Sequence, residues 1–330
     1  MHRALILGVA VCGLYAFACE KDNNKSSTET TAAQPPANTA TTPTTTPAEP
    51  APTTKKEPTV AWKGVGLSTP ESVLHDGDAD VYLVSNVDGE PLSADGKGFI
   101  SRLTPDGKVD KLKWIESGKE KVTLNAPKGL ALHGDLLYVA DLDTVRMFDR
   151  KSGAPKGEVK IPGATFLNGM AVASDGRILV SDTGMKAAGK GMEPAGNDAV
   201  FAIDTEKKVA AVAKSSDLGH PNGLAVGTDK TWVVTFGTGE IYGLDATGKK
   251  MDAKKLPKGQ LDGILVLPSG DLLVSSWEAG AIYKSAQGSS SFEVLIENTP
   301  APAGIGWDKK RSRVLVPLFN DNEVRAYDVK

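Results

Sequence analysis

Pro221-Asn222-Gly223-Leu224-Ala225-Val226 opens on a proline, a polar residue and a glycine, continues as an apolar segment, and is separated by a turn from a second run, Trp232 to Thr235. Two such runs bounded by turn residues read as a β-hairpin. The unit recurs as Pro70-Glu71-Ser72-Val73-Leu74, Pro127-Lys128-Gly129-Leu130-Ala131-Leu132, Leu167-Asn168-Gly169-Met170-Ala171-Val172, Leu261-Asp262-Gly263-Ile264-Leu265-Val266 and Pro302-Ala303-Gly304-Ile305-Gly306-Trp307. A turn rich in Asp, Gly or Lys follows each copy, and then a second apolar run: Val81 to Ser85, Leu136 to Ala140, Ile178 to Ser181, Leu272 to Ser275 and Val314 to Val316. Third runs such as Gly98 to Leu103, Val145 to Asp149 and Ala199 to Ile203 alternate as half-buried strands do.

The second residues of the six copies lie 57, 40, 54, 40 and 41 positions apart, the length of one four-stranded propeller blade. The expected fold is therefore all-β, a six-bladed β-propeller with four-stranded antiparallel blades. After the sixth copy only Val314 to Val316 and Glu323 to Val329 remain, one strand short of a blade. Thr59 to Lys63 can supply it, so that an N-terminal strand closes the ring in the last blade and covers a sheet edge.

Composition agrees with many turns and few helices: 35 Gly and 20 Pro in 330 residues, 40% hydrophobic and 6% aromatic. His2 and Arg3 precede an apolar run from Ala4 to Ala18 that is short for a membrane span, and small residues lead to Cys19. Residues 1–18 read as a lipoprotein-type signal peptide, with Cys19 as the lipidation site and the membrane as a partner through that lipid; plain secretion and a retained anchor are the alternatives. The cell envelope, on a periplasmic or outer-membrane face, is the expected location. Residues 19–57, rich in Thr and Pro, read as a disordered linker, and 58–330 as the propeller. Cleavage before Cys19 removes Cys12, which rules out an internal disulfide and a second thiol. The net charge of −3 becomes −4 once Arg3 is removed, and no clustered basic excess calls for a nucleic-acid partner.

In a propeller the first strand of each blade lines the central channel, so Glu71, Lys128, Asn168, Asn222, Asp262 and Ala303 gather at one mouth. Carboxylates and amide oxygens together suit a hard divalent cation, Ca²⁺ first; hydrogen bonds capping the inner strands are the simpler use of the same residues. Lys128 is open to three readings: pairing with Glu71 or Asp262, pointing outward, or stabilising an oxyanion. Asn86, Asp141, Asp182, Phe236, Trp277 and Phe319, at the ends of the second runs, are the expected walls, and the insertions Asn86 to Lys97 and Thr183 to Asn197 are candidate lids or plain loops. His220 stands beside the mouth, where it is open to two readings, a proton shuttle at neutral pH and a solvated loop histidine, the latter the simpler. Asp76-Gly77-Asp78-Ala79-Asp80 lacks the glycine and terminal Glu of a calcium loop, and no phosphate loop, zinc-protease helix or serine elbow occurs.

Pro70-Glu71-Ser72, Leu167-Asn168-Gly169, Pro221-Asn222-Gly223-Leu224 and Leu261-Asp262-Gly263 resemble the senescence marker protein, gluconolactonase and luciferin-regenerating-enzyme-like family over about residues 58 to 330. The resemblance implies one divalent cation held by Glu71, Asn222 and Asp262, with Asn168 nearby, and hydrolysis of a small-molecule lactone or ester with Asp262 as general base. It also puts Asn168 near the metal or the substrate; Lys128 in the ring, Phe166 beside it, and Asp182, Phe236 and Trp277 at the run ends are the other expected substrate contacts. Sugar-lactone hydrolases of the family often carry an Arg where this chain has Phe166, which removes a partner for a polar sugar. A non-catalytic envelope lipoprotein that binds a small ligand or a protein through the same face is the alternative function.

Overall fold

The computed structural model describes residues 58–189 and 191–329. The expectations placed on residues 1–18, on Cys19 and on the linker lie outside them. Six four-stranded antiparallel sheets follow one another along the chain. The first is Pro70–Asp76, Val81–Asn86, Phe99–Leu103 and Val109–Glu116. The second is Pro127–His133, Leu136–Asp141, Thr144–Asp149 and Pro155–Lys160. The third is Leu167–Val172, Ile178–Asp182, Ala199–Ile203 and Val209–Lys214. The fourth and fifth start with Pro221–Val226 and Leu261–Val266 and end with Lys250–Lys255 and Glu293–Ile296. In the sixth, Gly306–Asp308, Arg313–Leu318 and Glu323–Asp328 are completed by Thr59–Val65, which pairs antiparallel with Glu323–Asp328. The closure expected from the sequence is the one found.

The core follows from the way blades stack. Each blade is covered by a neighbour on both faces, so its middle strands are apolar on both sides; Ile178–Asp182 and Leu272–Ser276 are buried at every position. One hydrophobic cluster fills each gap between blades. Leu83 and Ile100 meet Leu137 and Phe148 between the first two, and Val200 and Leu179 meet Val233 and Tyr242 between the third and fourth. Outer strands have one wet side and carry charge instead, as in Val109–Glu116 and Lys250–Lys255, which discourages pairing with another sheet edge.

The ring is closed by polar contacts as well. Between the sixth and first blades the Tyr82 hydroxyl donates to Asp308 Oδ2 at 2.6 Å, and Arg311 holds both Asp80 oxygens at 2.9 and 2.7 Å. The buried His75 ring lies 3.0 Å from Asp80 and 3.4 Å from Asp308. The sixth inner strand is shorter than the sequence pattern suggests. Pro302 and Ala303 stand outside it, and Gly304 instead pairs with the inner strand of the neighbouring first blade: its N–H donates to the Glu71 carbonyl at 2.7 Å, and its carbonyl accepts from Val73 at 3.2 Å.

Candidate functional site

The glycine that follows the ring residue in every repeat but the first, where Ser72 stands, explains why the ring residues converge. A Cβ on Gly129 would lie 2.2 Å from the Asn168 carbonyl oxygen, one on Gly169 2.4 Å from that of Asn222, and one on Gly223 2.3 Å from that of Asp262. Each inner strand thus presses its glycine against the backbone of the next ring residue, closer than any side chain allows. Serines of the second strands fix the same spots: Ser181 Oγ donates to the Asn222 carbonyl at 2.5 Å, and Ser275 Oγ to that of Ala303 at 2.9 Å.

Glu71, Lys128, Asn168, Asn222 and Asp262 are all buried and line one cavity of about 270 Å³. Ala303, also buried, does not reach it. The rest of the lining is largely apolar. Phe236, Trp277 and Phe319 form a continuous aromatic wall, with ring centroids 5.6 and 5.4 Å apart in sequence order. Phe166, Pro91, Met185 and Met192 stand elsewhere around it, with Thr183, Gly237 and His220. Met185 and Met192 come from a small hairpin, Met185–Ala188 with Gly191–Pro194, and Pro91 from the loop after Asn86. Both insertions therefore contribute to the mouth.

Asp182, expected to contact substrate, does not line the cavity. It is fully buried and accepts the backbone N–H groups of Thr165, Phe166 and Gly184 at 3.1, 2.9 and 3.0 Å. Burial raises its carboxyl above the usual range, against the lowering effect of those amides. Asp141 caps Asn125 and Ala126 in the same way, and Asn86 caps Ser68. The cause is strand register. Asn86, Asp141 and Asp182 pair with the first residue of their inner strands, and the residues that do so in the fourth and fifth blades are Thr235 and Ser276. Phe236 and Trp277 come one residue later, and a shift of one residue turns a side chain to the opposite face. Thr183, the true counterpart of Phe236, does line the cavity.

Lys128 takes none of the three orientations offered by the sequence in pure form. Its ammonium donates to the carbonyls of Ala126 and Pro91, both at 2.9 Å, and sits 4.4 Å from the centroid of the Phe166 ring. It closes no ion pair with Glu71 or Asp262. Burial pulls its pKa down to about 8, against the charges of Glu71 and Asp141. Glu71 is pushed up to about 7 by burial, with Lys128 opposing, and its Oε2 is buried without a hydrogen-bond partner. Asp262 is raised well above its ordinary value by burial and then by Glu71; the Asn222 amide and Trp277 indole oppose the rise, although the indole N–H lies outside hydrogen-bond geometry. Two buried carboxylates thus repel one another beside a lysine committed elsewhere.

A divalent cation fits these residues. The set is all oxygen, one carboxylate oxygen is orphaned, and the two carboxylates repel one another with no ion pair to either. Among the described residues no group of three His, Cys, Asp or Glu side chains is arranged to hold a metal ion, so amide oxygens from Asn222 and Asn168 have to complete any ligand set.

His220 and Asp198 are the residues that the sequence reading undervalued or missed. Asp198 is buried and accepts the His220 backbone N–H at 2.7 Å, while its other oxygen lies 3.3 Å from His220 Nδ1. That nitrogen is also 2.9 Å from the Thr183 carbonyl. Two consecutive blades ending in capping Asp141 and Asp182 were a signal that the third loop needed a cap as well; nothing in the sequence placed it at 198.

Six blades and a polar-floored, aromatic-walled mouth define a lactonase-like propeller. The model of the SMP-30/gluconolactonase/LRE-like region matches residues 97–295, and the chain belongs to that family. No curated protein matches the sequence. Among solved structures, a protein assigned as a gluconolactonase is 16% identical with a TM-score of 0.60, over 82% of this chain and 91% of its own. A streptogramin B lyase is 14% identical with a TM-score of 0.57, over 82% and 97%. An inactive virginiamycin B lyase from Staphylococcus aureus, solved with quinupristin, is 15% identical with a TM-score of 0.52, over 82% and 99%. These likenesses are ones of fold.

Proposed function

We propose that the protein is an exported, lipid-anchored hydrolase of small lactones or esters that depends on one divalent cation, with Ca²⁺ the first choice. The observation that carries the reading is the unpartnered Oε2 of Glu71 in a buried site shared with Asp262. Glu71, Asn222 and Asp262 would hold the cation, with Asn168 beside it. When bound, it supplies charge that polarises an ester carbonyl. Around it the chain provides orientation: Phe236 and Trp277 present aromatic faces, Phe166 takes the place of a polar side chain, and Lys128 and Asn168 offer donors. Walls of this kind favour a substrate with an apolar or aromatic body over a sugar lactone. Anchoring at Cys19 and an envelope location complete the reading.

Lys128 favours a second reading, a binding protein without catalysis, because a cation already sits in the ring. Calorimetric titration with Ca²⁺ separates the two. The hydrolase reading requires about one ion per chain, loss of that binding in Asp262→Ala, and turnover of dihydrocoumarin or phenyl acetate. Failure to bind any divalent cation leaves only the binding protein.

A further inference from the structure

The residue just before the inner strand is left-handed in the first, fourth and fifth blades, at Thr69, His220 and Gln260, with φ of 43, 61 and 51°. Only in the fourth blade does it carry a titratable ring, and the surroundings are fitted to that ring. A Cβ on Gly237 would lie 2.3 Å from His220 Cδ2, and one on Gly184 2.1 Å from Asp198 Oδ1. One glycine makes room for the imidazole, the other for the carboxylate behind it.

The hydrogen bonds fix the tautomer. A carbonyl oxygen only accepts, so Nδ1 must donate to the Thr183 carbonyl at 2.9 Å, with Asp198 Oδ1 at 3.3 Å as a further acceptor. Nδ1 therefore carries a proton, and in the neutral ring the lone pair is on Nε2. The His220 side chain is 24% exposed, lines the cavity and makes no other hydrogen bond among the described residues. Phe236, Asn222 and Asp262 line the same cavity.

We propose that His220, oriented by Asp198 and the Thr183 carbonyl, is the proton acceptor of this site. The assignment rests on the hydrolase reading. Nε2 takes a proton from water as the water oxygen bonds to the ester carbonyl carbon. The same proton passes to the leaving oxygen as the carbon–oxygen bond breaks, which yields acid and alcohol and restores the neutral ring. His220 is the catalytic residue and Asp198 a positioning residue.

The test uses the full propeller, with dihydrocoumarin and phenyl acetate as probes, Ca²⁺ saturating and pH fixed. His220→Ala and His220→Gln should lower kcat by about 10²- to 10⁴-fold, with KM and Ca²⁺ affinity within about twofold of wild type. Added imidazole should restore part of the His220→Ala rate. Nitrogen NMR of the imidazole, recorded without cation, should show the Nδ1–H form in wild type and its loss in Asp198→Asn. Variants that keep the wild-type kcat, or an Nε2–H ring in wild type, overturn the role of His220 alone. An inactive wild type that binds Ca²⁺ overturns the hydrolase reading and, with it, this one.

Discussion

Glu71→Gln is the substitution whose outcome follows most directly from the site. Burial outweighs the attraction of Lys128 and raises the Glu71 carboxyl from 4.5 to about 7. A group raised in the folded state makes the protein most stable below its unfolded pKa, and that stability is lost as pH rises through the folded value. At about 1.4 kcal/mol per pKa unit, ionising Glu71 costs the cation-free fold on the order of 3 kcal/mol between pH 4.5 and 7. Gln keeps the shape without the charge. Without a divalent cation, the variant should match wild type near pH 4.5 and exceed it above pH 7 by about 3 kcal/mol. For a domain of this size that is roughly 6–12 °C in Tm. Saturating Ca²⁺ should raise the wild-type Tm above pH 7 and leave the variant where it was. The assay is thermal unfolding across pH with chelator and with Ca²⁺. A variant that melts below wild type at high pH with chelator present would refute the claim that burial outweighs the attraction of Lys128 at Glu71.

Lys128→Met removes a buried cation and keeps its stem; Ca²⁺ affinity measured calorimetrically should rise by roughly tenfold, the size of a ~1.4 kcal/mol repulsion. Lys128 is depressed to about 8, so wild-type stability should climb again as pH rises from about 8 toward 10.5, and the Met variant should lack that limb. Gly169→Ala drives a Cβ to 2.4 Å from the Asn222 carbonyl oxygen. Overpacking of this kind costs about 1–3 kcal/mol, seen as a lower Tm together with weaker Ca²⁺ binding. Burial raises Asp308, but Tyr82, Arg311 and His75 outweigh it and hold the carboxyl low. Asp308→Ala should cost about 3 kcal/mol by urea unfolding above pH 4, and the gap should narrow at lower pH as the wild-type carboxylate protonates.

The blade count, the closure and the ring positions other than Ala303 were legible because each leaves a periodic trace. A Pro or Leu, a polar residue and a glycine recur at blade spacing, and the glycine is obligatory wherever it meets the next blade's backbone, as at Gly169 and Gly223. The walls were less legible because they depend on register within a blade. Asp182 and Phe236 both follow a second apolar run, yet they occupy successive positions in the strand pattern and face opposite ways. Run endings in a sequence do not fix register to one residue; pairing does. Lys128 was illegible for a different reason. Its partners are backbone carbonyls, Ala126 beside it and Pro91 on an insertion, and carbonyls carry no sequence signal.

The same distinction explains how the site divides its work. The ring side chains start from backbone clamped by glycine and serine contacts, so the floor is rigid by construction: Asn222 and Asp262 could shift only if the blade interfaces moved. The walls start one or two residues beyond the sheets. His220, in the left-handed position after the short 3₁₀ turn Ser216–Leu218, and the Met185–Ala188 hairpin are held by a few hydrogen bonds each. Chemistry that needs fixed charge belongs on the floor, and selection among substrates belongs on the walls, where Phe166, Met185, Met192 and Trp277 can change without disturbing blade packing. Trp277→Ala should therefore raise KM for an aromatic lactone and leave Ca²⁺ affinity unchanged. If both move together, wall and floor are one unit and this division is wrong.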